Sequence, residues 1–164
     1  CREMLDILLE KARDKNLNIT PYHCSLAEYA GEGDHDLAVC VFTTMNYILA
    51  EEEMRRSIQK LVNAVKSGGK ILFDLAMLDA MRSYNRPIPG GRRKVNIESL
   101  GDNLYNYVED TNGNMNGEPF SYHDDFKIRY WEARDIQAFF SERGLLCQQI
   151  AEQIPFHRTF LVIK

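Results

Sequence analysis

The sequence lacks the cysteine spacing of a zinc site or of a disulfide framework. Its four cysteines, among 164 residues, are far apart and form no C-x-x-C pair. A long apolar run is also lacking: the longest uninterrupted one, residues 37–42, is far too short to span a bilayer, and no charged leader precedes an apolar segment at the start. These absences predict a cytoplasmic protein with no metal site and no membrane partner.

A basic excess is lacking too. The chain has 20 Lys and Arg against 24 Asp and Glu, which gives a net charge of −4. Binding to nucleic-acid phosphates requires clustered basic side chains, and one small cluster is present at residues 92–94. We therefore expect no nucleic-acid partner. Two interpretations of the small cluster remain open: a solvated loop, or a contact to a phosphate or acidic group on a substrate.

Apolar residues are plentiful enough for one domain. They make up 45% of the chain and recur at helical spacing over residues 2–15 and 51–66. Residues 16–22 are expected to be extended, and the short apolar segments 37–42 and 70–74, bounded by turn residues, predict buried strands. Strand, helix and strand at this spacing are typical of an α/β fold, in which helices cover a parallel sheet.

The pattern changes in residues 84–131. Prolines and glycines there separate short segments of alternating apolar and polar residues, which is typical of hairpins, and residues 120–130 carry apolar side chains at even positions. A helix over 132–143 and strands at 145–151 and 159–163 are expected to follow. The insertion is longer than a connection requires, so we expect a lid or substrate element. Its aromatic face could instead be a dimer seam or ordinary sheet core.

Five short motifs, in this order and spacing, resemble those of the class I S-adenosylmethionine-dependent methyltransferases, and the resemblance covers the whole chain. It implies a Rossmann-like, doubly wound, mostly parallel sheet with an antiparallel hairpin insertion. The domain, residues 1–164, would be the C-terminal part of such a fold and incomplete at its N-terminus, because the family's Gly-rich turn and acidic ribose-binding residue would precede Cys1. The motifs are Arg2-Glu3-Met4-Leu5, Asp36-Leu37-Ala38-Val39, the turn and strand from Ser67-Gly68-Gly69 to Asp74, Arg143-Gly144-Leu145, and Phe160-Leu161-Val162-Ile163-Lys164.

The resemblance also implies S-adenosylmethionine as the cofactor. Cys1 takes the place of a serine in the family pattern, and Met4 corresponds to a residue that packs on the adenine, although it could also be a core methionine. Ser25 stands where the family often has an acidic residue, and a polar turn residue is the other interpretation. The positions that match cofactor contacts are Cys1, Met4, Ser25, Leu26, Phe42 and Thr43.

Substrate contacts are expected where the strands end, because ligands of doubly wound sheets bind outside the carboxyl ends of the strands. The segment after Phe42 departs from the Asn/Asp-Pro-Pro-Tyr signature, which disfavours methylation of planar base or amide nitrogens. A general base is needed only if the acceptor arrives protonated. Asp74 and His123 are the candidate bases, although a helix cap and a solvated side chain are the respective alternatives. The candidate substrate contacts are Met45, Asn46, Tyr47, Tyr122 and Tyr130.

The expected function is transfer of a methyl group to a small-molecule acceptor by in-line displacement, in which alignment of the reacting atoms supplies much of the rate. The alternative is a non-catalytic, methyltransferase-like module for binding or oligomerisation. A nicotinamide-dependent oxidoreductase fits less well, since the hairpin-rich insertion and the Gly68-Gly69 turn belong to the methyltransferase pattern. A homodimer is also an open expectation.

Overall fold

A computed structural model describes residues 1–150 and 156–164. These residues form two four-stranded sheets and three α-helices, so the predicted α/β class is confirmed. In chain order the elements are α1 (Arg2–Asp14), β1 (His35–Cys40), α2 (Glu51–Ala64), β2 (Val65–Ala76), β3 (Tyr84–Ile88), β4 (Gly91–Gly101), β5 (Leu104–Met115), β6 (Glu118–Arg129), α3 (Ala133–Ser141), β7 (Cys147–Gln149) and β8 (His157–Ile163).

The first sheet has the strand order β1-β2-β8-β7. β1 runs parallel to β2, as expected for strands joined through a helix, but β8 runs antiparallel to both of its neighbours. Among the described strands of the first sheet, one of the three pairings is parallel. The expectation of a mostly parallel sheet is therefore not met there. The antiparallel return of β8 brings its first residue beside the carboxyl end of β2.

The core of the first sheet is aromatic. The fully buried ring of Phe73 on β2 stacks on Phe160 of β8 at 5.0 Å between centroids and on Phe140 of α3 at 5.5 Å. Burying a side chain of this size contributes about 2–3 kcal/mol. α2 covers the sheet with an apolar face that includes Met54 and Ile58, and its three leading glutamates suit the positive end of the helix dipole. These contacts hold β2 and β8 in fixed register.

The second sheet consists of β3 to β6, all antiparallel and joined by tight turns. Along β6, Phe126 and Ile128 are more buried than their neighbours Asp125 and Lys127, as the alternation in the sequence predicts. At the far end of the sheet Gly91 lies opposite Gly113, and a Cβ on either would collide with the other strand's backbone. Only glycine permits this close approach.

Some predicted boundaries are wrong. α2 ends at Ala64, before the Gly68-Gly69 pair, because Val65 is already extended and pairs with His35 of β1. β2 continues through the glycines, where Gly68 donates a backbone hydrogen bond to Lys164. Residues 16–22 form no strand. The predicted strand over 145–151 is confirmed only at Cys147–Gln149, since residues 145, 146 and 150 are irregular and residue 151 is outside the described part. None of the helices in that part is long and apolar enough to cross a membrane.

Candidate functional site

The carboxyl end of β2 carries a buried aspartate that holds the turn after β1. Asp74 is only 2% exposed; its Oδ1 accepts the backbone N–H of Thr43 at 2.8 Å and its Oδ2 that of Phe42 at 3.2 Å. Both residues of this turn have left-handed backbone conformations, with φ of 62° and 56°. A bulky and a β-branched residue adopt that conformation only at a cost of about 1–3 kcal/mol each, so the carboxylate stabilises a strained turn.

A histidine shares this carboxylate. His157 opens β8 and lies opposite Ala76 in the antiparallel register, which makes it the diagonal neighbour of Asp74 on the same face. Its Nδ1 is 3.0 Å from Oδ2 of Asp74. Since an ionised carboxylate only accepts, this hydrogen bond places a proton on Nδ1, and in the neutral ring Nε2 keeps its lone pair. The pair is an aspartate-oriented imidazole at the rim of the sheet.

A cavity of about 270 Å³ separates this rim from the second sheet. That volume is just below the usual range for ligand pockets, about 300–1,000 Å³, and suits a small molecule. The first sheet and its connections contribute Thr43, Asn46, Tyr47, Ala76, Ala80, Met81 and His157, while the second sheet contributes Arg93, Ile97, Tyr107, Phe126 and Ile128.

Stacked rings line one side of the cavity. Phe126 lies between Tyr47 and Tyr107, with centroid distances of 5.2 and 4.7 Å. Burial raises the pKa of both phenols, and the negative charges of Asp124 and Glu109 raise that of Tyr47 further. Both tyrosines therefore remain neutral near pH 7 and provide flat apolar faces with a hydroxyl at the edge.

Arg93 belongs to a charged network on the second sheet. One of its terminal nitrogens donates to Oε2 of Glu109 at 2.5 Å and to the hydroxyl of Tyr107 at 3.1 Å, and Thr111 donates to Oε1 of Glu109 at 2.9 Å. Burial would raise the pKa of Glu109, but these hydrogen bonds outweigh it and the pKa is lowered. The network keeps Glu109 ionised and orients Arg93 at the cavity wall.

Asn46 fastens the two sheets together beside the cavity. Its side chain is almost fully buried; Nδ2 donates to the carbonyl oxygen of Arg129 at 2.8 Å, and Oδ1 accepts the backbone N–H of Ala76 at 3.1 Å. The indole of Trp131 donates to the carbonyl of Ile48 at 3.0 Å on the same side. The end of β6 is thereby fixed against the end of β2.

The structure brings several of the predicted site residues together. Asp74, Phe42 and Thr43 share one hydrogen-bonded turn, and Asn46 and Tyr47 line the cavity with Thr43. This grouping follows from the carboxyl ends of β1 and β2 meeting at one edge of the sheet.

Other predicted residues lie elsewhere. Met45 is fully buried in the core, and Tyr130 is buried in a second cluster, so neither is open to a ligand. Tyr122 is half exposed and donates to Asp124 at 2.7 Å. His123 is exposed, pairs with Asp110 at 2.7 Å, and lies on the face of β6 opposite Phe126, away from the cavity.

The remaining predicted cofactor residues do not line the cavity. Met4 is 64% exposed on α1, and the thiol of Cys1 donates to Glu3. The hydroxyl of Ser25 donates to Glu28 at 2.9 Å and its backbone N–H to the same carboxylate at 3.0 Å, a capping arrangement that lowers the pKa of Glu28. Leu26 packs partly buried against the first core.

His157 is the residue that the sequence interpretation misses. It is 83 positions from Asp74, and only the register of β8 against β2 places the two side chains in contact. A histidine just before the closing apolar segment is the one signal that the sequence offers. Arg93 belongs to the basic cluster at residues 92–94, for which a solvated loop and a substrate contact were both open interpretations. Its side chain lines the cavity and is not in a solvated loop.

Comparison with models of known protein families finds no match, and neither does comparison with curated protein sequences. Solved structures do match. An S-adenosylmethionine-dependent methyltransferase from Clostridium acetobutylicum superposes with a TM-score of 0.85 over 99% of this chain and 72% of its own, at 16% identity. This likeness extends over both sheets.

Two further structures are similar. The CcbJ methyltransferase from Streptomyces caelestis has a TM-score of 0.75 and 13% identity, covering 97% of this chain and 70% of its own. The sugar N-methyltransferase KedS8 from Streptoalloteichus has a TM-score of 0.70 and 13% identity, covering 94% of this chain and 66% of its own. The chain thus spans about two thirds of their length, and the resemblance seen in the sequence is confirmed at the level of the fold.

Proposed function

We propose that this chain, whose fold is that of the class I S-adenosylmethionine-dependent methyltransferases, acts in methyl transfer to a small-molecule acceptor. The observation that carries the proposal is the cavity of about 270 Å³ between the sheet rim and the second sheet, with the Asp74 and His157 pair at its edge. That volume suits a small acceptor and not a macromolecule. A structural neighbour described as a sugar N-methyltransferase is consistent with this class of acceptor.

Two exposed apolar side chains support the binding of S-adenosylmethionine on its adenine side. Met4 and Phe42 are apolar yet 64% and 85% exposed, and a thioether and an aromatic ring held in solvent suit packing against a purine. We propose that these two side chains, with Leu26, hold the adenosyl group. Cys1 and Ser25 stay predictions, because their polar atoms are engaged with Glu3 and Glu28. When bound, the cofactor supplies a methyl group on a sulfonium with an excellent leaving group.

The chain's own contribution is alignment and exclusion of water. The turn at Phe42 and Thr43 is fixed by Asp74, and the stacked rings of Tyr47 and Phe126 offer an apolar wall that orients an acceptor. Fixed walls of this kind lower the entropic cost of bringing the acceptor to the methyl group. Residues 84–131 serve as the cover of the site in this proposal, and the first sheet as the C-terminal part of a Rossmann-like, doubly wound sheet.

Isothermal titration calorimetry of the intact gene product with S-adenosylhomocysteine tests the proposal. We expect saturable binding, with ATP as a control nucleotide giving far weaker heat. A panel of small alcohols, amines and sugars, incubated with methyl-labelled S-adenosylmethionine, then identifies the acceptor by mass spectrometry. Absence of binding to S-adenosylhomocysteine at millimolar concentration would overturn the proposal and favour a non-catalytic module with the same fold. Cytoplasmic location and a homodimer stay predictions.

A further inference from the structure

We propose that His157 is the catalytic proton acceptor of this site and that Asp74 is its positioning residue. The proposal rests on the proposed methyl transfer and narrows its substrate class. A general base is useful only when the substrate atom that receives the methyl group arrives with a proton that must leave, as in a hydroxyl group or an ammonium group. Acceptors whose reacting atom carries no proton, such as thioethers and tertiary amines, are disfavoured.

The geometry gives His157 the features of a general base. Its Nδ1 is 3.0 Å from the Asp74 carboxylate, which fixes the ring orientation and leaves Nε2 as the basic atom. The side chain lines the cavity and is 25% exposed, so the imidazole can meet an acceptor and later release a proton to water. In hydrolases, an aspartate that is hydrogen-bonded to the catalytic histidine sets the tautomer of the ring and stabilises the imidazolium.

Asp74 does not suit the role of base. Its side chain is 3% exposed, both of its oxygens already accept hydrogen bonds from the turn at Phe42 and Thr43, and Oδ2 also faces Nδ1 of His157. With its oxygens engaged in this way, the Asp74 carboxylate is not free to take a proton from the methyl acceptor. Asp74 therefore acts on the acceptor only through the imidazole of His157.

The proposed proton transfer is balanced. The bond between the acceptor heteroatom and its hydrogen breaks, the proton goes to the lone pair of Nε2, and the electron pair stays on the heteroatom, which becomes the nucleophile. The resulting imidazolium of His157 carries one positive charge beside the single negative charge of Asp74. Loss of the proton to solvent through the exposed part of the ring restores the neutral imidazole.

Other charged and titratable groups face His157 from each side of the site. Asp74 approaches from β2, and Arg93, Tyr47 and Tyr107 line the shared cavity, where Arg93 is neutralised by Glu109. His157 also borders a neighbouring cavity of about 480 Å³ whose titratable lining residues are Asp79, Arg82, Tyr84, Arg86 and Tyr107. Among the described residues, Asp74 is the carboxylate that is hydrogen-bonded to the imidazole.

His123 is the rival candidate, because it too has an aspartate partner. Its Nδ1 is 2.7 Å from Oδ1 of Asp110, and this contact raises its pKa. The side chain nevertheless lies on the outer face of β6 and does not reach the cavity. Comparing His157→Gln with His123→Gln therefore separates the residue favoured by the structure from the one suggested by the sequence.

The first test measures single-turnover methyl transfer by the intact gene product, with the acceptor found in the panel above. In His157→Gln we expect the rate to fall about 10²–10⁴-fold. The rise of the wild-type rate with pH, as the imidazole loses its proton, should disappear. His35→Gln is the matched control, because His35 lies at the opposite end of the sheet, paired with Tyr29. Its rate should stay near that of the wild type.

Binding of S-adenosylhomocysteine separates the two proposals. If the wild type and His157→Gln bind it equally and the variant also keeps its rate and pH profile, His157 is not the base and the proposed function stands. Loss of the rate in His123→Gln in place of His157→Gln would likewise overturn the assignment. No binding to the wild type would instead refute the proposed function, and this inference with it.

A second measurement does not depend on activity. Imidazole ¹⁵N chemical shifts of the protein, without cofactor, should show the neutral ring of His157 protonated at Nδ1. In Asp74→Asn this tautomer should lose its preference. A neutral His157 ring protonated at Nε2 in the wild type would overturn the proposal, since Nε2 would then have no lone pair to accept the proton.

Discussion

The side-chain amide of Asn46 lies 2.8 Å from the carbonyl oxygen of Arg129, and this hydrogen bond spans 83 positions of the chain. Its other polar atom accepts the N–H of Ala76, so one buried side chain satisfies the main chain at the ends of both β6 and β2. The wall of the cavity depends on this link because both sheets contribute to it.

Asn46→Ala should therefore destabilise the protein. Two buried main-chain groups would lose their partners, at about 1–3 kcal/mol each, so we expect the free energy of unfolding to fall by about 2–6 kcal/mol. Chemical denaturation gives the value. Asn96→Ala, at an exposed position on β4, is the control and should change stability by less than about 0.5 kcal/mol. Equal losses in both variants would contradict the bridging role.

Asp74→Asn should loosen the turn after β1. An amide has one acceptor oxygen, and its NH₂ group would face N–H donors, so at least one hydrogen bond of Phe42 or Thr43 is lost. We expect a loss of about 2–3 kcal/mol in the free energy of unfolding. Asp125→Asn, on the exposed face of β6, is the control. A change below about 0.5 kcal/mol in Asp74→Asn would show that the turn does not need the carboxylate.

The Glu109 network predicts a pH dependence of stability. Because hydrogen bonds from Arg93, Tyr107 and Thr111 outweigh burial and lower its folded-state pKa below 4.5, Glu109 stabilises the fold above the unfolded-state pKa. This stabilisation is lost as the pH falls through the folded-state pKa. The free energy of unfolding should therefore fall more steeply below about pH 5 in the wild type than in Glu109→Gln.

Denaturation curves taken across this range of pH check the result for Glu109. Glu98→Gln, at an exposed position on β4, is the matched control and should keep the wild-type slope. Identical slopes in the wild type and Glu109→Gln would mean that ionisation of Glu109 is not coupled to folding.

Phe42→Asn separates backbone conformation from ligand contact. Asparagine tolerates the left-handed conformation at φ 62° better than phenylalanine, so stability should stay equal or rise by up to about 1 kcal/mol. Loss of the exposed ring should weaken binding of S-adenosylhomocysteine about tenfold, which corresponds to about 1.4 kcal/mol. Calorimetry measures both binding and unfolding. Leu146→Asn, at another exposed apolar position, is the control, and unchanged affinity in Phe42→Asn would remove this ring from the proposed adenosyl site.

Local patterns in the sequence predict much of the fold. The helical spacing of Met54 and Ile58 and the alternation around Phe126 each depend on neighbours within a few positions, and the structure has a helix and a strand there. The start of β2 was missed because its first residues, including Gly68 and Gly69, are extended through hydrogen bonds to distant segments and not through their own propensity.

The site was predictable only where it follows from the strand ends. Asp74 and Thr43 come directly after strands that meet at one edge, so their proximity follows from the parallel pairing of β1 and β2. The position of His157 depends instead on the direction of β8 and on the register of β8 against β2. A shift of one residue in that register would turn the side chain of His157 to the other face of the sheet. Such information is not present in any short stretch of sequence.

The bond from Asn46 to Arg129 also has a consequence for motion. The base of the second sheet is fastened by this bond, by that of Trp131 to Ile48 and by that of Arg129 to Leu49. The opposite end of the sheet carries the close Gly91 and Gly113 pair, at a distance from these bonds. If the second sheet moves to open the cavity, we therefore expect a hinge motion about residues 46–49 and 129–131, with the greatest displacement at the end that carries Gly91 and Gly113.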